Sequence, residues 1–196
     1  MIIDYTNIQV ATKRLIIRPL VESDYEQLQK SYAERLPKQS KYDNGPVDPK
    51  ETPRAWFKQL IKIYRKRASD DQIYIFGVFH RKTGRHIGSV DIATIVRHTL
   101  SWANLGYYVH NNFQGQGYAK EFAKAAIQIA FKDLGFKRIE AAANTDNLPS
   151  INLAKSIGMK KECLRQNFHY DQGVWNDHVV FVMISKDKAL HRIEKN

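Results

Sequence analysis

Apolar and polar positions along the chain change period several times, and each change marks a boundary between elements. The first aliphatic run, Lys13 to Leu20 (KRLIIRPL), stops at Pro19 and reads as a strand, because proline cannot donate to a sheet ladder. Ser23-Asp-Tyr-Glu26 has the spacing of a capping box, and Leu28, Tyr32 and Leu36 follow at helical intervals, which predicts a first helix. Lys38 to Asp48 is rich in Lys, Asp, Asn, Gly and Pro and reads as a loop. Thr52 and Pro53 then take the N-cap and first-turn positions of a second helix through Arg67, with Trp56, Leu60 and Ile63 or Tyr64 as its apolar stripe.

Beyond Ser69-Asp-Asp the period shortens. Gln72 to His80 is β-branched and aromatic, Lys82-Thr-Gly84 marks a turn, and His86 to Arg97 alternates, so an antiparallel hairpin is expected. A strand over Trp102 to His110 follows. The helical period then returns, with Phe122, Ala126, Ile129, Ala130 and Leu134 on one face and Gly135 as the stop. Arg138 to Ala143 reads as a short strand and Pro149 to Ser156 as a short helix. Met159 to His169 and Trp175 to Ser185 read as two last strands around a turn at Asp171-Gln-Gly173. This order predicts an α+β domain over residues 1–196, with a mixed central sheet of about seven strands, flanking helices, and roughly ten peripheral residues at each end.

Composition narrows the class. With 196 residues, 43% hydrophobic and 26% charged, the chain fits one folded domain and excludes disordered or collagen-like classes. No apolar stretch approaches the ~20 residues of a membrane span and no leader pattern opens the chain, so a cytoplasmic protein is expected. The single cysteine, Cys163, and seven histidines without metal-ligand spacing predict no metal. A net charge of +11 favours a polyanionic partner: nucleic acid, ribosome or a phosphorylated cofactor. The dense stretch Lys58, Lys62, Arg65, Lys66 and Arg67 reads more simply as a solvated helix face.

The most informative segment is Gln114-Gly-Gln-Gly-Tyr-Ala119, which sets two glycines between a strand and the first turn of a long helix. A helix N-terminus exposes unpaired amides, and glycine lets backbone approach a phosphate without interference from Cβ, so this is a plausible pyrophosphate cradle. No Gly-Lys-Ser/Thr follows, and Lys120 stands where a dinucleotide fingerprint needs its third glycine. A plain tight turn is the alternative.

The pattern Gln/Arg-x-x-Gly-x-Gly/Ala, filled by Gln114, Gly117 and Ala119, resembles the acetyl-coenzyme A pyrophosphate loop of the GNAT N-acetyltransferases. Asn147-x-x-Ser150 with Gly158-Met159 is similar to a second signature of that superfamily. TKRLIIRPL, Leu105-Gly-Tyr-Tyr, Asn147-Leu-Pro-Ser150 and Gly173-Val-Trp175-Asn-Asp177-His178 resemble the ribosomal-protein alanine N-acetyltransferases, the RimJ and RimL branch. The resemblance implies acetyl transfer from acetyl-coenzyme A to the α-amine of a protein N-terminus, an alanine on a ribosomal protein. It also implies cofactor contacts from Tyr108, Val109, Gln114, Gly115, Gln116, Gly117, Tyr118, Ala119 and Asn147. By the same resemblance Ser150 lies near the sulfur as proton donor; a helix cap is its simpler role.

An α-amine titrates near ~7.7–8.0 against ~10.4 for lysine, so only a lysine substrate demands a strong base. Asn104 stands where several acetyltransferases resembling this one carry Glu, which fits an α-amine deprotonated through water with help from Glu162, His169, Asp177 or His178. Adjacent strand residues face opposite ways, so at most one of Asp177 and His178 faces a cleft. Two other functions compete: acetylation of a small amine such as an aminoglycoside, polyamine or amino sugar, and a non-catalytic RNA- or ribosome-binding module. Docking to ribosomal RNA through the positive charge, as a monomer or homodimer, belongs to the main expectation.

Overall fold

The computed structural model describes residues 3–171 and 173–186. The last ten residues, expected to be peripheral, and Gln172 of the expected turn lie outside them. The elements in order are β1 (Val10–Ala11), β2 (Leu15–Arg18), α1 (Tyr25–Ala33), α2 (Arg54–Ser69), β3 (Ile73–His80), β4 (His86–Val96), β5 (Trp102–Val109), α3 (Tyr118–Lys132), β6 (Arg138–Asn144), α4 (Leu148–Ser156), β7 (Lys160–Asp171) and β8 (Val174–Ile184). They form an α+β domain around one mixed eight-stranded sheet in the order β1-β2-β3-β4-β5-β6-β8-β7. The strand beyond the expected number is β1, two residues pairing Val10 with Ile17 and Ala11 with Ile16, too short to show a period. Among the described residues, no helix is long and apolar enough to cross a membrane.

Local chemistry differs from expectation at the first two helices. Asp24, not Ser23, organises the start of α1: its Oδ2 accepts from the Val21 amide at 2.9 Å, and its two oxygens take both terminal nitrogens of Arg18 at 2.7 Å. A guanidinium fork gains two charge-assisted bonds where a serine cap gains one neutral bond, so the 3-10 turn Glu22–Asp24 precedes the helix. Leu36 falls beyond α1 and is exposed. In α2, Phe57, Ile61 and Ala68 are the buried positions, while Trp56 and Ile63 are exposed and Leu60 and Tyr64 pack at the margin. Phe57 and Ile61 meet Leu20, Leu28 and Phe79, so the buried face is set by β3, by α1 and by the segment that joins β2 to α1. Thr52 does not cap α2; its hydroxyl accepts from Gln29 Nε2 at 2.8 Å, and Pro53 is the N-cap.

Helix α3 lies on the opposite face of the sheet. Phe122, Ala126, Ile129 and Ala130 are fully buried in one cluster with Leu15, Phe76 and Ala103. Gly135, at φ 69°, turns the chain so that the Phe136 amide donates back to the Ala130 carbonyl at 2.9 Å. Among the basic residues of α2, Lys58 meets Glu22 and Lys66 meets Asp70.

Candidate active site

The sheet is antiparallel except where β5 meets β6. Those strands pair in parallel over Trp102 with Arg138, Ala103 with Ile139 and Asn104 with Glu140, and pair no further. Beyond Asn104, β5 continues with β4 to Gly88–Val109, while β6 continues with β8 to Asn144–His178. The two half-sheets therefore part like a V. A slot of about 210 Å³ lies in the opening, bordered by Gly106, Tyr107, Ala142 and Ser150. It adjoins a cavity of about 650 Å³ that reaches the start of α3.

At the outer end, Gly115 (φ 72°) and Gly117 (φ 76°) adopt the left-handed conformation, with Gly117 as the N-cap of α3. The amides of Gly115, Gln116 and Gly117 donate to no acceptor among the described residues. Those of Tyr118, Ala119 and Lys120 are free by their position in the first helical turn. Arg14 braces this loop from behind: its Nε meets Glu121 at 2.6 Å, one terminal nitrogen donates to the Gln116 carbonyl at 2.9 Å, and its guanidinium lies 4.3 Å from the Tyr118 ring centroid. Burial pushes the Glu121 carboxyl up, but bonds from Thr12 and from the Arg14 amide and guanidinium outweigh it and hold the acid below its usual range. A run of free amides with an adjacent guanidinium fits a diphosphate.

Tyr108, Val109, Gln114, Gly115, Gly117, Tyr118, Ala119 and Asn147 all border the large cavity. Gln116 does not; its side-chain amide donates to the Asn112 carbonyl at 3.2 Å, because the left-handed glycines on either side turn it outward. Gln114 reaches the cavity, yet its side chain is occupied, donating to Asp43 Oδ1 at 3.0 Å. Asp43 and Tyr42 come from the segment read only as a loop, and they form a wall of the cavity. Tyr42 and Lys41 engage Asp146, and Asn144 Nδ2 donates to the Tyr42 hydroxyl at 3.1 Å. No local pattern in the sequence announces these contacts.

Ser150 borders both the cavity and the slot. Asn147 caps α4 by accepting from the Ser150 amide at 3.2 Å, and the Tyr107 hydroxyl donates to the Ser150 carbonyl at 3.3 Å. Glu162 is elsewhere: it pairs with Arg138, at the end of β6 where β5 and β6 are still joined, so it borders neither cavity nor slot. Its pKa is lowered, chiefly by that Arg138 bond, which suits an ion pair and not a base. Asp177 is consumed in the hairpin, accepting from the Asn167 amide at 2.8 Å. His178 lies opposite Asn144, buried against the Phe168 and His169 rings with neither nitrogen bonded; burial first, then His169, pushes its pKa down. The strand alternation thus separates the pair, and sequence reasoning missed another contributor, Arg14, which braces the glycine loop. Cys163 is half-buried, and among the described residues no group of acidic, His or Cys side chains could hold a metal ion.

Comparison with known proteins agrees with this geometry. Residues 14–160 match the model of the acetyltransferase (GNAT) domain, and the chain belongs to that family. It is 26% identical over 182 residues to the [ribosomal protein uS5]-alanine N-acetyltransferase of Escherichia coli, covering 92% of each chain. Among solved structures, RimJ of Mycobacterium smegmatis, in complex with a CoA disulfide, superposes with a TM-score of 0.77 at 18% identity, covering 97% of this chain and 95% of that one. The ribosomal-protein-S5-alanine acetyltransferase of Vibrio fischeri superposes with a TM-score of 0.74 at 21% identity, covering 92% and 98%. The protein is an acetyl-coenzyme A-dependent N-acetyltransferase.

The loop geometry carries a first prediction. A side chain at a left-handed position costs roughly 1–2 kcal/mol, relieved by rotating the amides away from the ligand. Gly115→Ala with Gly117→Ala is therefore expected to weaken acetyl-coenzyme A binding by ~10–100-fold in isothermal titration, with helix content by circular dichroism unchanged.

Proposed function

We propose that this enzyme acetylates the α-amine of a protein N-terminus, with an N-terminal alanine of a ribosomal protein as its substrate, and that residues 1–196 act as one transferase domain in the cytoplasm. The observation that carries the reading is the state of the acids in the cavity wall: Asp146 is paired with Lys41, Asp43 is engaged by the Gln114 side-chain amide, and Glu140, at the pair where the sheet parts, is held by Arg165. A polyamine or aminoglycoside needs several vacant carboxylates; a single α-ammonium does not. The full-length match to a ribosomal-protein alanine acetyltransferase supports the same choice.

Acetyl-coenzyme A supplies an activated acetyl thioester. The amides of Gly115 to Ala119 hold its diphosphate, with Asn147, Tyr108 and Val109 along the pantetheine arm. A main-chain amide of β5 near Tyr108 and Val109 polarises the carbonyl, in a slot where Tyr107 and the half-sheets keep water out. Ser150 gives its hydroxyl proton or hydrogen bond to the departing sulfur. Ser150→Ala is expected to lower kcat by ~10²-fold with acetyl-coenzyme A affinity retained, since a positioned proton donor contributes at least that much.

The test is a panel of peptides and free amines offered with labelled acetyl-coenzyme A and read by intact mass. Product on Ala- or Ser-starting peptides, and none on lysine side chains or spermidine, is the expected result; product on polyamines or aminoglycosides alone overturns it. If Lys62, Arg65 and Arg67 of α2 also dock the enzyme on ribosomal RNA, ribosome association falls steeply between low and physiological salt.

A further inference from the structure

Asp91 takes no part in the roles assigned so far. It lies on β4 opposite Gly106 of β5, with Ile75 of β3 across its other edge. A Cβ on Gly106 would stand 2.4 and 2.6 Å from the two Asp91 oxygens, so the carboxylate rests on the bare backbone of β5. That point is two residues past Asn104, the last β5 residue paired to β6, and Gly106 borders the slot that Ser150 also borders. Strand alternation puts Asp91, Asn104 and Tyr108 on the face toward α1 and α2, and Tyr107 on the α3 face; Asp91 itself lines neither slot nor cavity and adjoins the slot through Gly106.

Among the described residues nothing bonds or pairs with this carboxylate, which is half-buried and not sealed. A buried acid without a partner opposes folding, so its retention beside the opening needs a ligand to account for it. Tyr64 of α2 is near enough for Asp91 to raise its pKa, Tyr32 of α1 acts on the same tyrosine, and Tyr108 flanks on β5; the cations of this face, Arg67 beside Tyr64 and Arg35 over the Tyr32 and Tyr108 rings, do not shift the Asp91 carboxyl, which responds to burial alone. Glu140 of β6 is taken by Arg165, and His178 of β8 is disposed to neutrality.

We infer that Asp91 receives the acceptor: its carboxylate holds the incoming ammonium over Gly106 and takes one proton from it. This rests on the amine-acetylation reading above. The freed nitrogen lone pair forms the N–C bond to the acetyl carbon as the C–S bond breaks. The C–S electron pair leaves with sulfur, the nitrogen's surplus proton ends on that sulfur by way of Ser150, and the proton on Asp91 passes to solvent. Burial alone pushes the Asp91 carboxyl up to about 6. An α-amine near ~8 is then only about two pH units above its base, a gap that leaves roughly one bound amine in a hundred neutral.

Asp91→Asn is expected to lower kcat ~10²-fold at pH 7 with acetyl-coenzyme A affinity by calorimetry unchanged, and to lose the acid limb near pH 6. Its rate should instead climb about tenfold between pH 7 and the titration of the peptide amine near ~8, which narrows the ~10²-fold gap to about tenfold by pH 9. Gly106→Ala, which displaces the carboxylate, should reproduce the loss in the native chain and add nothing to Asp91→Asn. Without turnover, the side-chain carboxyl resonance of Asp91 in carbon-labelled protein should titrate near 6 and move when an Ala-starting peptide is added. Native kcat and pH profile in Asp91→Asn, or a resonance indifferent to the peptide and to any amine that is turned over, overturns the assignment. Should native enzyme acetylate only another class of amine, the N-terminal reading fails, and the same variants run on that amine still decide the role of Asp91.

Discussion

Replacing Glu140 with alanine is expected to destabilise the fold by about 3–5 kcal/mol, the cost of breaking a buried ion pair from one side. Glu140 is 2% exposed on β6, and both its oxygens are engaged by the Arg165 guanidinium from β7, one at 2.8 Å. On β8, the strand between them, Val182 pairs with Glu140 and His178 with Arg165, and the other acid that feels Arg165, Glu162, is already held by Arg138. The guanidinium also lies 4.8 Å from the Phe168 ring centroid and 5.9 Å from that of Trp102. Alanine would leave the cation over these rings with no carboxylate of its own, only Glu162, which Arg138 already holds. For a chain of this size each kcal/mol moves the midpoint by roughly 2–4 °C, so thermal unfolding should fall by about 6–20 °C. The paired replacement Glu140→Leu with Arg165→Met should recover most of it, because apolar groups of similar volume replace a buried pair at little net cost. Acetyl-coenzyme A affinity should drop in the single variant as well, since Asn104–Glu140 is the pair at which the sheet begins to open. A loss under about 1 kcal/mol for Glu140→Ala would mean water reaches Arg165 in the folded chain.

What could be read in the sequence follows from how far each signal reaches along the chain. The period of α3, the left-handed glycines before it and the hairpin turn at Gly84 depend on residues a few positions apart, and they stand where the sequence predicts. Helix α2 shows the limit of that locality. Apolar residues at 56, 57, 60, 61, 63 and 64 make two overlapping stripes, and it is Leu20, Leu28 and Phe79, far off in sequence, that select Phe57 and Ile61. The same limit hid the acceptor side of the site. Asp91 in an alternating strand is unremarked until register sets it against Gly106, and Glu162 looks available until Arg138 is found beside it. The 38–48 segment has loop composition, but its bonds to Gln114 and Asp146 are long-range pairings that no window contains.

Acidification is expected to unfold the protein steeply below about pH 6.5, through two histidines the catalytic site does not use. His86 Nδ1 and His110 Nε2 are 2.9 Å apart, and Arg35 Nε donates to His110 Nδ1 at 3.0 Å. Burial depresses both rings well below the ordinary histidine range, with Arg35 adding to the shift in each and His86 in His110. Above the unfolded-state value near ~6.5 both rings are neutral whether folded or not, and their full contribution is present. As pH falls below it the unfolded chain binds protons that the folded chain refuses, so stability falls by up to about 1.4 kcal/mol per pH unit for each ring. His178 acts in the same sense, while Asp91 opposes it: its folded pKa is raised, so between about 6 and 3.8 the folded chain binds its proton first. The lowered carboxyls of Asp71 and Glu121 lose their contribution only as pH falls below the ordinary values of 3.8 and 4.5, which leaves the range from 6.5 to 5 to the histidines and Asp91. Urea midpoints measured across that range should decline, less steeply in His86→Phe and more steeply in Asp91→Asn. Function should go with the fold, because His110 immediately precedes the turn Asn111–Phe113 that feeds the glycine loop, and Asn111 clasps the Leu36 amide and carbonyl at 2.8 Å. Charging the pair would push Arg35 away and free the segment after α1 from the cofactor loop, so acetyl-coenzyme A affinity should weaken over the pH range in which the urea midpoint declines. A flat midpoint from 6.5 to 5 would instead mean that the folded chain admits a proton to these rings.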